Sequence, residues 1–121
     1  MGYKSFEDLD VWKRACRLAV EIYEVLGECR DAGLKSQMTR AAVSVASNIA
    51  EGAERNSAPD YIRFIHMAKG SAAELRTQLY IAGKVGLIPA QQVSALVKTC
   101  RDLSAMLQAL ANSLKHNKAP K

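Results

Sequence analysis

Two sets of polar side chains recur at helical spacing in this sequence, and they are the residues with chemistry to offer. In the first set, Gln37, Arg40, Ser44, Asn48, Glu51 and Arg55 step by three and four, and Ser71, Glu74 and Gln78 repeat the step further on. At about 100° per residue the first six fall within about 80° of arc, beside the neighbouring apolar face rather than opposite it. A polar stripe so placed becomes a hydrogen-bond network when a second helix packs beside it. Ala41, Ala42, Ala46, Gly52, Ala68, Gly70, Ala72 and Ala73 accompany the stripes and let backbones approach closely. In an antiparallel hairpin closing near Ser57, Arg40 comes level with Glu74, Ser44 with Ser71, and Glu51 with Arg63. Such pairs meet either within one chain or across a subunit boundary. A solvated helix face with incidental charge pairs is the plainer alternative.

The second set is basic. Lys69 and Arg76 lie one heptad apart, with Lys84 two turns on; Lys98 and Arg101 are a turn apart, and Lys115, Lys118 and Lys121 decorate the end of the chain. Such a surface suits phosphates without regard to base sequence. The composition supports it. Of 121 residues, 17 are Lys or Arg and 12 are Asp or Glu, a net charge of +5. Residues 1–60 carry 8 basic and 10 acidic side chains, whereas residues 61–121 carry 9 basic and 2 acidic ones, net +7. That asymmetry points to a polyanionic partner for the second half, with a merely solvated basic surface as the alternative. With two Phe, four Tyr and one Trp, aromatics are too few for sequence-specific single-strand recognition by stacking. Trp12 falls on an apolar seam and reads as packing.

Catalytic and metal chemistry find little footing. The only histidines are His66 and His116, and Arg63 and Ser113 stand where a di-iron bundle would need glutamate three residues earlier. No Cys/His cluster has zinc spacing. Cys16 and Cys100 fall on apolar seams, where a thiol behaves as a small hydrophobe, and no histidine is placed to activate Cys29. Gly83 and Gly86 punctuate a helix end and are not followed by the Lys-Ser/Thr of a phosphate loop. A non-enzyme without cofactor or metal is the expectation.

These residues need helices to hold them. Periodicity places helices at about 8–28, 36–54, 58–84 and 90–115, followed by a flexible basic tail at 116–121. The first carries Leu9, Trp12, Cys16, Ala19, Ile22 or Tyr23, and Leu26 on its apolar face, with Gly27 and Gly33 bracketing its exit. Ser36 is the candidate N-cap of the second, which buries Met38, Ala41, Ala42, Val45 and Ile49. Ser57, Pro59 and Asp60 form the start signal of the third, with Tyr61, Ile65, Ala68, Ala72, Leu75, Leu79 and Ala82 inward. Pro89 opens the fourth, whose Val93, Leu96, Cys100, Leu103, Leu107, Leu110 and Leu114 hold an a/d seam. Four amphipathic segments with short loops make an all-α, antiparallel up-down-up-down four-helix bundle, one domain over 1–115. The N-terminal stretch has no apolar signal region. The longest uncharged run, Val85–Val97, is too short to span a bilayer. No membrane association is expected, and three cysteines without CxxC spacing fit the reducing cytoplasm.

The blocks Ser5-Phe6-x-x-Leu9-x-Val11-Trp12-x-x-Ala15, Gln37-x-x-Arg40-Ala41-x-x-Ser44-x-x-x-Asn48-Ile49-Ala50-Glu51-Gly52 and Ala68-x-Gly70-Ser71-x-x-Glu74-Leu75-x-Thr77-Gln78-Leu79 agree in order and spacing with one family. They resemble the bacterial four-helix-bundle proteins encoded in intervening sequences of 23S ribosomal RNA genes, the "S23 ribosomal protein" family. The resemblance covers residues 5–88; the fourth helix agrees in pattern only. It implies a cytoplasmic bundle that assembles into a homopentameric ring, with no assigned enzymatic activity. More distantly, the chain is similar to the accessory protein of diversity-generating retroelements, a basic pentamer that binds a reverse transcriptase and nucleic acid. The family motif falls on Arg40, Ser44, Asn48, Glu51, Gly52, Gly70, Ser71, Glu74 and Gln78, with Arg55 one turn beyond. The reading of these residues is structural, fixing the contact of the second and third helices or a subunit interface. A buried Arg40–Glu74 pair would cost about 3–5 kcal/mol to break from one side.

Three functions compete at this point. The first is a non-catalytic, homo-oligomeric bundle that binds RNA or DNA through Lys69, Arg76, Lys84, Lys98, Arg101 and Lys115 as an adaptor; five copies would carry about +25. The second is a protein-binding scaffold ring with no nucleic-acid role. The third, an enzyme with a pocket between helices or subunits, has the least support.

Overall fold

The computed structural model describes residues 5–116. The basic tail expected at 116–121, with Lys118 and Lys121, falls outside the described residues except for His116. A 3-10 turn at Phe6–Asp8 precedes four helices, α1 (Asp10–Val25), α2 (Ala32–Ala53), α3 (Ala58–Lys84) and α4 (Ala90–His116). There is no strand among the described residues. α1 packs on α2 and α4, and α3 packs on α2 and α4, while the backbones of diagonal helices stay apart across the shared core. Successive helices run antiparallel, giving the four-helix bundle.

Local signals account for most helix ends. The Ser57 hydroxyl accepts from the Asp60 N–H at 3.3 Å, and Pro59 occupies the first turn of α3, where a missing N–H costs nothing. α3 stops because Gly86 adopts φ 80°, the one positive φ among the described residues. The Leu87 N–H reaches back to the Ala82 carbonyl at 2.9 Å and the Gly86 N–H to that of Gly83 at 3.2 Å, a Schellman closure. α4 then starts on the Pro89 carbonyl, which accepts from the N–H groups of Gln92 and Val93.

Two ends differ from the sequence expectation. α2 begins four residues early, because Asp31 and not Ser36 is its N-cap: the Asp31 carboxylate accepts from the Leu34 N–H at 3.0 Å. An anion at the positive end of the helix dipole is the better cap. Gly33 therefore lies inside the first turn of α2. α1 closes at Val25, and neither Gly27 nor Gly33 takes a left-handed conformation.

The core also corrects the face assigned to α1. Val11, Ala15, Leu18, Ala19, Ile22 and Leu26 are buried, whereas Leu9, Trp12 and Cys16 sit at the margin and Tyr23 is 53% exposed. The helix is turned by about one residue from the expected seam. Trp12 packs edge-on against Phe6, with ring centroids 5.2 Å apart, so the N-terminal turn claims it. On α2, α3 and α4 the expected inward positions are buried, apart from Tyr61, Leu110 and Leu114, which are half-buried.

Cys100 lies in this core with no exposure. Burial pushes its thiol up to about 11, and the Arg76 guanidinium partly offsets that rise. A folded pKa above the unfolded one means stability that is full below about pH 9 and lost as pH rises towards 11. Unfolding free energies from urea titrations between about pH 8.5 and about pH 10.5 should fall by up to about 1.4 kcal/mol per pH unit, and the Cys100→Ala profile should be flatter. Identical slopes would remove the thiol from the account.

Candidate nucleic-acid interface

The polar stripes of α2 and α3 meet along one seam. The Ser44 and Ser71 hydroxyls share a hydrogen bond at 2.9 Å, and the Asn48 amide donates to the Ser44 carbonyl at 2.9 Å and to its hydroxyl at 3.0 Å. Asn48 is buried, so this satisfied cluster sets the helix register. The level pair Ser44–Ser71 is therefore a contact within the chain.

The charged pairs are not. Arg40 and Glu74 are both exposed and line a pocket of about 210 Å³ with Gln37, Ala41 and Ser44, but no ion pair joins them. Of the two alternatives for Arg40 and Glu74, a buried bridge within one chain does not form, because both side chains emerge on the solvent side of the seam. Removing Arg40 leaves no buried charge behind. Arg63 pairs with Asp60 on its own helix at 3.5 Å and not with Glu51. Gln78 is buried and donates to Glu74 at 3.5 Å, leaving its own carbonyl oxygen without a partner.

The two motif glycines behave differently. A Cβ on Gly52 would lie 2.8 Å from Phe64 Cβ and 3.0 Å from Tyr61 Cδ1, so α2 and α3 approach too closely at Gly52 to admit a side chain. Gly70 has nothing within 4 Å of that position and faces out, contrary to the close approach expected there. Arg55 lies 4.5 Å from the centre of the Phe64 ring and Arg63 lies 4.8 Å from it, so the guanidinium of Arg55 caps the hairpin end.

Three of the basic residues, Lys69, Arg76 and Arg101, lie on the other side of α3, along its seam with α4. Lys69 donates to the Gln108 side chain, whose amide donates in turn to Asn112 at 3.0 Å. Arg76 is half-buried beside Cys100. Arg101 on α4 reaches back to α3, its guanidinium donating to the Tyr80 hydroxyl at 3.3 Å. Lys84 and Lys115 stand exposed in the last turns of α3 and α4, where the helix dipole favours a cation. Lys98 is spent locally on Asp102 at 3.1 Å. Among the described residues, none of Lys69, Arg76, Lys84, Arg101 and Lys115 is ion-paired.

Tyr80 was not among the residues singled out from the sequence. Its signal lay in spacing, since Arg76 and Lys84 flank it at i−4 and i+4. Counting aromatics overlooked where this one sits.

The sequence model of a family described as "23S rRNA-intervening sequence protein" matches residues 7–109. The chain belongs to this family. Among solved structures, a crystal structure at 1.70 Å from Bacteroides thetaiotaomicron VPI-5482, described as a protein of unknown function from the S23 ribosomal protein family, is similar at a TM-score of 0.79. The two chains are 20% identical, and the likeness covers 84% of this chain and 97% of that one. At that identity the likeness is one of fold. No curated protein matches the chain. For this member of the intervening-sequence family, no described helix is long and apolar enough to cross a membrane.

Proposed function

We propose that this protein is a non-catalytic, self-associating helical bundle that binds RNA or DNA through the basic α3/α4 seam and serves as an adaptor. The observation that carries the reading is that Lys69, Arg76 and Arg101 lie along the α3/α4 seam, with Lys84 and Lys115 exposed in the last turns of these two helices, and that none of the five is ion-paired among the described residues. Nine of the twelve acidic residues precede α3, on α1, α2 and the segments that flank them. Separated charge of this kind attracts polyanions and makes binding steeply salt-dependent. Self-association is supported by exposed Met67, Ile81 and Val85 on the α3 face that also carries Gly70, Ser71 and Glu74. Several copies would multiply the basic field.

A second reading, a protein-binding scaffold, draws on the groove of about 520 Å³ between α1 and α2, where exposed Tyr23 and Val43 flank Ser47 and Glu51. Size-exclusion chromatography with light scattering, on nuclease-treated and untreated protein, separates the two. An assembly in both samples, absorbing near 260 nm only when untreated, is the expected result. A clean assembly that takes up no nucleic acid at low salt would overturn the nucleic-acid reading in favour of the scaffold. A monomer would overturn self-association.

A further inference from the structure

We infer that the α3/α4 seam takes a single strand of RNA or DNA, with one base stacked on Tyr80 and phosphates held by Arg76, Lys84 and Arg101. This rests on the nucleic-acid reading above and narrows it to a strand whose base faces are open. Arg76, Tyr80 and Lys84 stand at i, i+4 and i+8, so they form one row along α3, with about 6 Å of rise between neighbours. Lys69, three turns before Tyr80, extends the same row, and Lys69 to Lys84 spans about 22 Å. From α4, Arg101 adds a third cation at the ring's hydroxyl edge through its 3.3 Å bond to the Tyr80 hydroxyl.

Tyr80 is 47% exposed. An aromatic ring left in water amid cations offers a flat face to a flat partner, and its tether to Arg101 reduces the ordering it must undergo on binding. In a duplex the base faces are hidden in the stack, so the ring would have nothing to meet there. Competing acid is out of the way. Glu74 lies on the α2 side of α3 beside Gln78, and Asp102 is occupied by Lys98. Stacking on one ring is tolerant of base identity, which agrees with the scarcity of aromatics elsewhere in the chain.

The test compares fluorescent oligothymidine and oligouridine of about 12 nucleotides with a mixed-sequence duplex of the same length, for the full chain at matched salt. Single strands should bind at least tenfold more tightly than the duplex, and either sugar satisfies the inference. Tyr80→Leu keeps apolar cover and removes the π face; it should weaken single-strand binding about tenfold and leave the duplex unchanged. Tyr80→Phe should stay within about twofold of wild type. Arg76→Gln should reduce the log K against log salt slope by about 0.7. A duplex bound as tightly as a single strand, with Tyr80→Leu silent and its helical circular dichroism intact, overturns the stacking site and leaves the basic seam standing. Binding of neither overturns both readings.

Discussion

Gly52→Val is expected to lower the unfolding free energy by about 3 kcal/mol, the upper end of the usual cost of overpacking. A Cβ at Gly52 would meet Phe64 Cβ at 2.8 Å, Tyr61 Cδ1 at 3.0 Å and the Tyr61 carbonyl oxygen at 3.2 Å. Phe64 Cβ and the Tyr61 carbonyl are a side-chain root and backbone, so neither can swing aside. The helices must part, and Phe64, buried beneath Arg55 and Arg63, loses its packing. Gly52→Ala is the informative companion. Alanine gains about 1 kcal/mol of helix propensity, which offsets part of an overpacking cost of about 1–3 kcal/mol, so its loss should be the smaller of the two. Urea denaturation at constant m-value measures both. A Gly52→Val midpoint equal to wild type would mean that α2 and α3 do not approach as described.

The second large effect concerns binding. Arg76→Glu combined with Arg101→Glu should weaken nucleic-acid affinity on the order of a hundredfold near 0.15 M salt. Each phosphate contact on a single strand contributes about 0.7 to the log–log salt slope, or roughly fourfold in affinity at that salt. Two lost contacts therefore account for roughly fifteenfold, and the two introduced carboxylates repel the strand by a similar factor. Lys98→Ala is the internal control. Its ammonium is committed to Asp102 at 3.1 Å, and its loss should cost less than about threefold. Arg76 is half-buried against Cys100, so the neutral pair Arg76→Gln and Arg101→Gln separates lost charge from disturbed packing. Fluorescence anisotropy with a labelled single strand reads all three. Equal losses at Lys98 and at the two arginines would mean a diffuse charge effect with no seam.

Between the two helix hairpins the candidate site was legible to different depths. Ser44 and Ser71 were level by residue counting, and they are hydrogen-bonded at 2.9 Å. Arg40 and Glu74 were level by the same count and are not paired. Counting along two antiparallel helices gives height but not the rotation of each about its axis. Long side chains at the seam's edge turn outward where water solvates them at no cost, whereas the short serines reach only partners inside the seam, each other and Asn48. The same blindness to rotation shifted the inward face of α1 by about one residue and left the difference between Gly52 and Gly70 invisible.

What the sequence determined by itself was everything that local interactions settle. The three-four step of apolar residues dictates four helices, Ser57 with Pro59 dictates the start of α3, and Gly86 dictates its end, because these depend on neighbours within one or two turns. The three motif blocks likewise carried the family. Only the tertiary structure decided which side chains meet across helices. It placed Arg101 on Tyr80, 21 positions earlier in the chain, and left Arg76 and Lys84 without an acidic partner across the seam. Those outcomes follow from helix rotation and axial register, which the whole core fixes at once through close packing, and no local stretch of residues encodes them.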